Sequence, residues 1–235
     1  MSADYDKSEE PHAVIDRYAR RNVGDRYSML RTEVWLDMLA RQRAMLWLFA
    51  HDLGWHDLAE LKLTDIGCGG GAKLLEFLRF GFAPQNLCGI ELLPERATAA
   101  RQILPAALVV YEGDANSANI TPASQDVVFQ SVVFSSLLDD GFQHELARRM
   151  WQWVKPGGGV LWYDFIYNNP ANPDVRGVPV KRVQKLFPEG KMIVRRVTLA
   201  PPISRRVCRI HPYAYQVFNA IPLLRTHVLC WISKK

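Results

Sequence analysis

No run of 18 or more apolar residues occurs anywhere in the 235, so nothing here reads as a membrane span. Cysteine is scarce. The four present (Cys68, Cys88, Cys208, Cys230) show no metal-binding spacing, which predicts reduced, packed thiols in a cytoplasmic protein. Residues 1–10 are polar and acidic, unlike a signal or transit peptide. Internal repeats and low-complexity tracts are absent. What remains, with 49% apolar residues, is the composition of one globular domain large enough to bury a core.

Acidic residues are also nearly missing from one stretch. Positions 176–209 hold ten Lys/Arg against Glu189 alone, a local charge of +9 in a chain whose total is +5. Such a run is ordinarily solvated surface. It is also what an enzyme would use to attract an anionic acceptor or to rest on an acidic lipid surface.

The most informative stretch is Leu63-Thr64-Asp65-Ile66-Gly67-Cys68-Gly69-Gly70-Gly71. An apolar strand runs into three alternating glycines, and an apolar helix follows over 72–80. Glycine allows a sharp turn and lets a ligand lie against bare backbone, while the helix N-terminus points N–H groups at it. A nucleotide-like ligand is expected. The spacing is G-x-G-x-G, not the G-x-G-x-x-G of dinucleotide sites, and Asp65 precedes the first glycine. Glu91 ends the next apolar run, Gly113-Asp114-Ala115 follows a third, and Lys155-Pro156-Gly157-Gly158 turns into a fifth.

This series, over roughly residues 62–166, resembles the class I S-adenosylmethionine-dependent methyltransferases. The resemblance implies S-adenosyl-L-methionine as cofactor, with its methionine part cradled by Asp65, Gly67, Cys68, Gly69 and Gly71. Glu91, with Leu92 beside it, would hold the ribose. Asp114, with Ala115, would face the adenine amine, and Gln130 at the end of strand 4 is counted with the site. Arg21, in a cluster with Tyr18, Arg20, Arg26 and Tyr27, is expected to meet the cofactor carboxylate or a substrate anion, or else to be helix-surface charge.

Alternating strands and helices predict an α/β fold, a parallel sheet with helices on both faces. Residues 1–60 form an N-terminal helical cover, with helices over about 13–21 and 29–50. Residues 62–166 are the cofactor-binding core, with strands at about 62–66, 87–91, 107–111, 126–134 and 160–166. Residues 167–212 form a basic acceptor-side segment, and 213–235 a C-terminal helix and strand. The family implies a Rossmann-like sheet of seven strands in the order 3-2-1-4-5-7-6, with strand 7 antiparallel.

Ligands of such sheets bind beyond the carboxyl ends of the strands. The Asn/Asp-Pro-Pro-aromatic motif of enzymes that methylate nucleic-acid bases is missing after strand 4, where the chain reads 130–136 as QSVVFSS, so a nucleic-acid partner is not expected. The segments 163–170, 172–177 and 221–227 resemble small bacterial methyltransferases that accompany polysaccharide or glycoconjugate synthesis. That implies O-methylation of a sugar hydroxyl on a glycan or small-molecule acceptor, anionic or lipid-linked, with the protein cytoplasmic or peripheral at the inner membrane face. A quinone, lipid or secondary-metabolite phenol is the alternative acceptor, and an inactive cofactor-binding partner subunit a further reading. Asp164 is the expected general base and His144 its rival. Asp139-Asp140 invites a metal, but Asp140 as the cap of the next helix is preferred, and no metal is assigned.

Overall fold

Strand β1 (Leu63–Ile66) is buried along its whole length, as the central strand of a parallel sheet must be. The structure, a computed structural model, describes residues 9–21 and 24–235. Among these, α1 (Glu10–Ala19) and α2 (Thr32–Trp47) precede β1, and α3 (Ala72–Phe80), β2 (Leu87–Glu91), α4 (Pro94–Ile103) and β3 (Val109–Glu112) follow it. Then come β4 (Gln125–Ser131), α5 (Asp140–Trp153), β5 (Val154–Phe165), α6 (Val180–Leu186), β6 (Lys191–Leu199), α7 (Pro201–Ile210), α8 (Pro212–Asn219) and β7 (Arg225–Ser233). The seven strands run in the order β3-β2-β1-β4-β5-β7-β6, with β7 antiparallel to both neighbours. This is the Rossmann-like sheet that the family resemblance implied.

The helices divide between two apolar layers. Residues of α3 and α4 pack under one face with Phe129, Leu161 and Leu229, together with Met45 from α2. On the other face, α1, α5 and α6 bury Val14, Phe142, Leu146, Met150, Val183 and Leu186 against Ile66, Val128 and Trp162. A third, smaller cluster joins α2 to α7 and α8 through Leu36, Val207, Cys208 and Tyr215. Such burial, at about 25 cal/mol per Å² of apolar surface, is what holds the helices to the sheet.

Local departures from the sequence reading have packing causes. The long second helix stops as an α-helix at Trp47 and ends in a π turn, Leu48–Asp52. Strand β4 ends at Ser131 because the chain tightens into a 3-10 turn, Phe134–Ser136. Strand β5 starts earlier than expected, at Val154, with a register shift against β4 at Gln125 and Val127. Asp139, not Asp140, caps α5 by accepting from the Phe142 N–H at 2.5 Å. Asp140 instead pairs with Arg176 and Arg182.

Candidate active site

The loop between β1 and α3 is built by three glycines with positive φ, Gly67 at 65°, Gly69 at 59° and Gly71 at 87°. They do different things. A Cβ on Gly67 would lie 2.6 Å from Val133 Cγ2, and one on Gly71 3.0 Å from Leu104 Cδ1, so these two let neighbouring elements close in. A Cβ on Gly69 would meet nothing within 4 Å. The middle of the loop is open backbone, the surface a ligand needs.

Two carboxylates flank that opening. Glu91, buried at the end of β2, accepts from the Gly69 N–H at 2.7 Å and from the Leu93 N–H at 2.9 Å. It ties the glycine loop to the second strand, and each oxygen keeps a further lone pair. Asp65 is 1% exposed, and neither of its oxygens has a hydrogen-bond partner among the described residues. Burial pushes its pKa well up, against the pull of Lys73. A buried polar group without a partner is costly, and so marks a place where a donor belongs.

Beyond β3, Asp114 accepts from the Asn116 N–H at 3.0 Å, and burial raises its carboxyl pKa. The side-chain amide of Asn116 is buried, with its nitrogen and oxygen both unpartnered among the described residues. The sequence reading missed Asn116, although its place two residues after Asp114 was the available signal. Ala115 and Leu92 are partly buried against the core. Cys68 is buried, and burial raises its thiol pKa. Its Sγ would lie 2.7 Å from a Cβ on Gly89. Gln130 is fully buried, accepting from the Val133 N–H at 3.0 Å and donating to the Tyr163 carbonyl at 3.3 Å. It braces the end of β4. The residue that follows this strand pair, Val132, is β-branched yet has φ 54°, a strained backbone of the kind that gathers at functional sites.

Helix α1 is stapled over the turn after β4. Arg17 donates to Glu10 at 2.6 Å and to the Ser136 carbonyl at 3.0 Å, while Glu10 accepts from the Leu138 N–H at 2.6 Å. The staple places Tyr18 between two guanidiniums, with Arg21 4.0 Å and Arg96 4.5 Å from its ring centre. Arg96 lies in the first turn of α4, just after Glu91, so Arg21 is brought to the Glu91 end of the sheet. Its Nε and one terminal nitrogen are buried and unpartnered among the described residues. Arg20 points elsewhere, 3.6 Å from Asp174. Tyr27 is exposed, and Arg26 is too.

The two expected bases lie on β5 and α5, where the sequence put them, and the structure shows what holds each. Asp164 does lie near the carboxyl end of β5 but is fully buried, accepting from the Ser135 N–H at 3.1 Å and the Phe165 N–H at 2.9 Å. Burial pushes its carboxyl up to about 7, although these donors oppose the shift. Both oxygens are engaged: Oδ2 ties the turn after β4 to β5 through Ser135, and Oδ1 accepts from the next N–H of its own strand. His144 is exposed on α5, its Nε2 3.2 Å from Arg182 of α6. Structure thus brings His144 to the α6 side of the molecule, not to the glycine loop.

A different set converges beneath α2. Arg41 donates to both oxygens of Glu76, at 2.8 and 2.9 Å, in a buried pair that Lys73 joins at 3.1 Å. Burial opposes ionisation of Glu76, yet Arg41 and Lys73 hold its carboxyl below the usual range. The guanidinium of Arg41 stands 5.3 Å from the Tyr163 ring, which stacks on His227 with centres 5.1 Å apart. Burial lowers His227 to about 4, so the imidazole is neutral. Tyr163 shares a hydrogen bond with Thr198 at 2.8 Å. One turn before Arg41, Asp37 accepts from the Tyr215 hydroxyl at 2.7 Å, and burial pushes its carboxyl up to about 7. Asp37, Arg41 and Tyr215 were not singled out in the sequence. Their signal was two charges, four apart, interrupting an apolar helical stripe.

The basic stretch 176–209 is also distributed. Arg176 and Arg182 bind Asp140 on the α5 side, Arg195 pairs with Asp52, and Arg196 reaches the Tyr167 hydroxyl at 3.3 Å. Arg205, Arg206 and Arg209 on α7 stand exposed without an ion pair among the described residues, as do Lys181, Lys185 and Lys191.

Residues 64–162 match the family model described as a methyltransferase domain. Among solved structures, the chain is similar to the methyltransferase complexed with the Trm112 activator of Haloferax volcanii, at 16% identity over 87% of this chain and 98% of that one, TM-score 0.58. It is similar to phosphoethanolamine N-methyltransferase 2 of Haemonchus contortus in complex with S-adenosyl-L-methionine, at 14% identity over 94% and 60% of the two chains, TM-score 0.62. It is also similar to geranyl diphosphate C-methyltransferase of Streptomyces coelicolor A3(2), at 12% identity over 81% and 76%, TM-score 0.58. Identities of this size carry the fold and no acceptor. No curated protein matches the chain in sequence. Residues 64–162 thus carry a match to a methyltransferase domain, set on the seven-stranded Rossmann-like sheet described above. Of these neighbours, the Haemonchus enzyme is seen in complex with S-adenosyl-L-methionine and the Streptomyces enzyme with S-adenosyl-L-homocysteine.

Proposed function

We propose that the chain methylates an oxygen of a hydroxylated, anionic acceptor, a sugar hydroxyl of a glycan or glycoconjugate, at or near the inner membrane face. When bound, the cofactor supplies an electrophilic methyl group on sulfonium. In this reading Asp65 meets the ammonium of its methionine part and Arg21 the carboxylate, each satisfying atoms that are otherwise buried and unpartnered. Glu91 takes the ribose hydroxyls on its remaining lone pairs, and Asp114 with Asn116 faces the adenine edge.

An alcohol is a poor nucleophile while protonated, so oxygen transfer calls for a base. The observation that carries the oxygen reading is the Asp37–Tyr215 pair, a carboxyl pushed by burial up to about 7. A base with that pKa suits proton removal near neutral pH. Tyr163, which is buried, and the half-buried His227 stack behind it as an aromatic pair that packs beneath α2. Asp164 serves here as a positioning residue, and His144 as an α5 surface group.

The second reading, a quinone, lipid or secondary-metabolite phenol, is supported by exposed apolar side chains along α8. An inactive partner subunit would bind cofactor without turnover. Calorimetry with S-adenosylmethionine, followed by mass-spectrometric detection of methyl transfer, tests all three. We expect binding, and methylation of nucleotide- or lipid-diphosphate-linked sugars. Transfer to phenols alone supports the second reading, and binding with no transfer to either acceptor class supports the third.

A further inference from the structure

Helix α8 buries only one narrow face. Tyr215 and Asn219, four residues apart, turn into the protein, whereas Tyr213 and Val217, also four apart, are 75% and 67% exposed. Ile210 at the end of α7 and Leu223 in the turn after α8 are each 82% exposed, and Phe218 and Ile221 are exposed with them. Single exposed apolar residues are normal on a soluble surface. Six between positions 210 and 223 form a patch, and it projects from the edge of the sheet beside α2.

The charge around the patch has one sign. Positions 190–235 contain nine Lys/Arg and neither Asp nor Glu. Arg205, Arg206 and Arg209 are exposed on α7, with no acidic partner among the described residues. Arg205 donates only to the Pro201 carbonyl, at 3.1 Å. Apolar side chains rimmed by arginine describe an interfacial helix surface, where side chains enter the headgroup boundary and cations sit at lipid phosphates.

We propose that α7, α8 and the turn 220–224 dock the protein on the surface of an acidic phospholipid bilayer. Charge selects this occupant. A nucleic acid would answer the arginines but leave the apolar side chains unmatched. A second copy meeting the same patch about a two-fold axis would set α7 arginines against α7 arginines. No helix among the described residues is long and apolar enough to cross a membrane, so the contact is peripheral. The inference rests on the membrane placement in that proposed function but on none of its acceptor chemistry. Loss of vesicle binding therefore leaves methyl transfer to soluble acceptors as a separate test. It does place the inner face of α8, with Tyr215, on the far side of the same helix that touches lipid.

Vesicle flotation tests it with the full chain. Phosphatidylcholine vesicles containing phosphatidylglycerol should carry the protein, pure phosphatidylcholine vesicles should not, and added salt should weaken binding. Arg205→Glu with Arg206→Glu, and separately Ile210→Asp with Leu223→Asp, should each lower binding at least about tenfold. Unchanged melting and S-adenosylmethionine affinity would show that these exposed substitutions leave the fold intact. Failure to float with acidic vesicles, equal binding to neutral ones, or full binding by both variants overturns the proposal. So does a concentration-dependent dimer in sedimentation velocity that Leu223→Asp dissolves while no vesicle is bound. Capture of an acidic protein in place of acidic vesicles overturns it as well.

Discussion

Tyr215 donates its hydroxyl to Asp37 across 2.7 Å, joining α8 to α2 over a separation of 178 residues. Burial pushes the Asp37 carboxyl up to about 7 from 3.8. A carboxyl raised in the folded state binds its proton more tightly there than in the unfolded chain. Stability from this group is therefore greatest below the unfolded value and is lost as pH rises from about 4 to about 7. Asp37→Asn keeps an acceptor for Tyr215 but no longer titrates. It should flatten the melting temperature across that window, raise it at alkaline pH, and cut kcat by roughly 10²–10⁴-fold if Asp37 is the base. An unchanged pH profile of melting would show that the carboxyl is not held as the geometry indicates.

Asp65 should show function and stability in opposition. Its carboxylate is buried with both oxygens unpartnered, so Asp65→Asn removes a group that is costly to ionise there. The variant should melt no lower than the parent without cofactor, yet bind S-adenosylmethionine more than about tenfold more weakly, the loss of one charge-assisted hydrogen bond. A lower melting temperature with unchanged affinity in calorimetry would assign Asp65 to the fold alone.

The glycines of the loop should separate cleanly. Gly67→Ala would place a Cβ 2.6 Å from Val133, and it should destabilise the protein by about 1–3 kcal/mol through overpacking and its left-handed backbone. Gly69→Val meets no protein atom within 4 Å, so beyond the strain of a β-branched residue at φ 59° its effect should be loss of cofactor binding. Paired melting and calorimetry measure both. A Gly69→Val protein with normal affinity would move the cofactor elsewhere.

Asp164→Asn distinguishes a brace from a base. The amide can accept from only one of the Ser135 and Phe165 N–H groups and sets its own NH₂ against the other. We expect a stability loss of about 1–3 kcal/mol, the cost of an unsatisfied buried donor. Turnover by the folded fraction should fall only a fewfold. A folded variant with normal melting and kcat reduced by about a hundredfold or more would restore Asp164 as the base.

Glu91→Ala removes the acceptor of two backbone N–H groups, Gly69 and Leu93, at the loop itself. Cofactor affinity should fall more than about tenfold, from lost ribose contacts worth roughly 1.5–3 kcal/mol each and from a loosened loop. A loss below about threefold in calorimetry would mean that the carboxylate serves only the backbone.

The cofactor half was legible in the sequence because its determinants are local. Three alternating glycines prescribe the positive backbone angles of the loop, and strand ends place Glu91 and Asp114 beside it with no help from distant residues. The order of strands came from the family resemblance carried by those same motifs. The proposed acceptor side was decided by tertiary structure alone. Asp37 and Arg41 read as interruptions of a helix stripe until α8 delivers Tyr215 and β5 and β7 deliver Tyr163 and His227 beneath α2. Asp164 looked free at a strand end until the turn after β4 folded back and offered it the Ser135 N–H. The basic stretch read as one field until ion pairs with Asp140 and Asp52 drew parts of it to other surfaces. A backbone angle is set by the residue that adopts it, whereas a carboxylate's pKa and reach are set by what surrounds it, and its neighbours are chosen only when the chain closes.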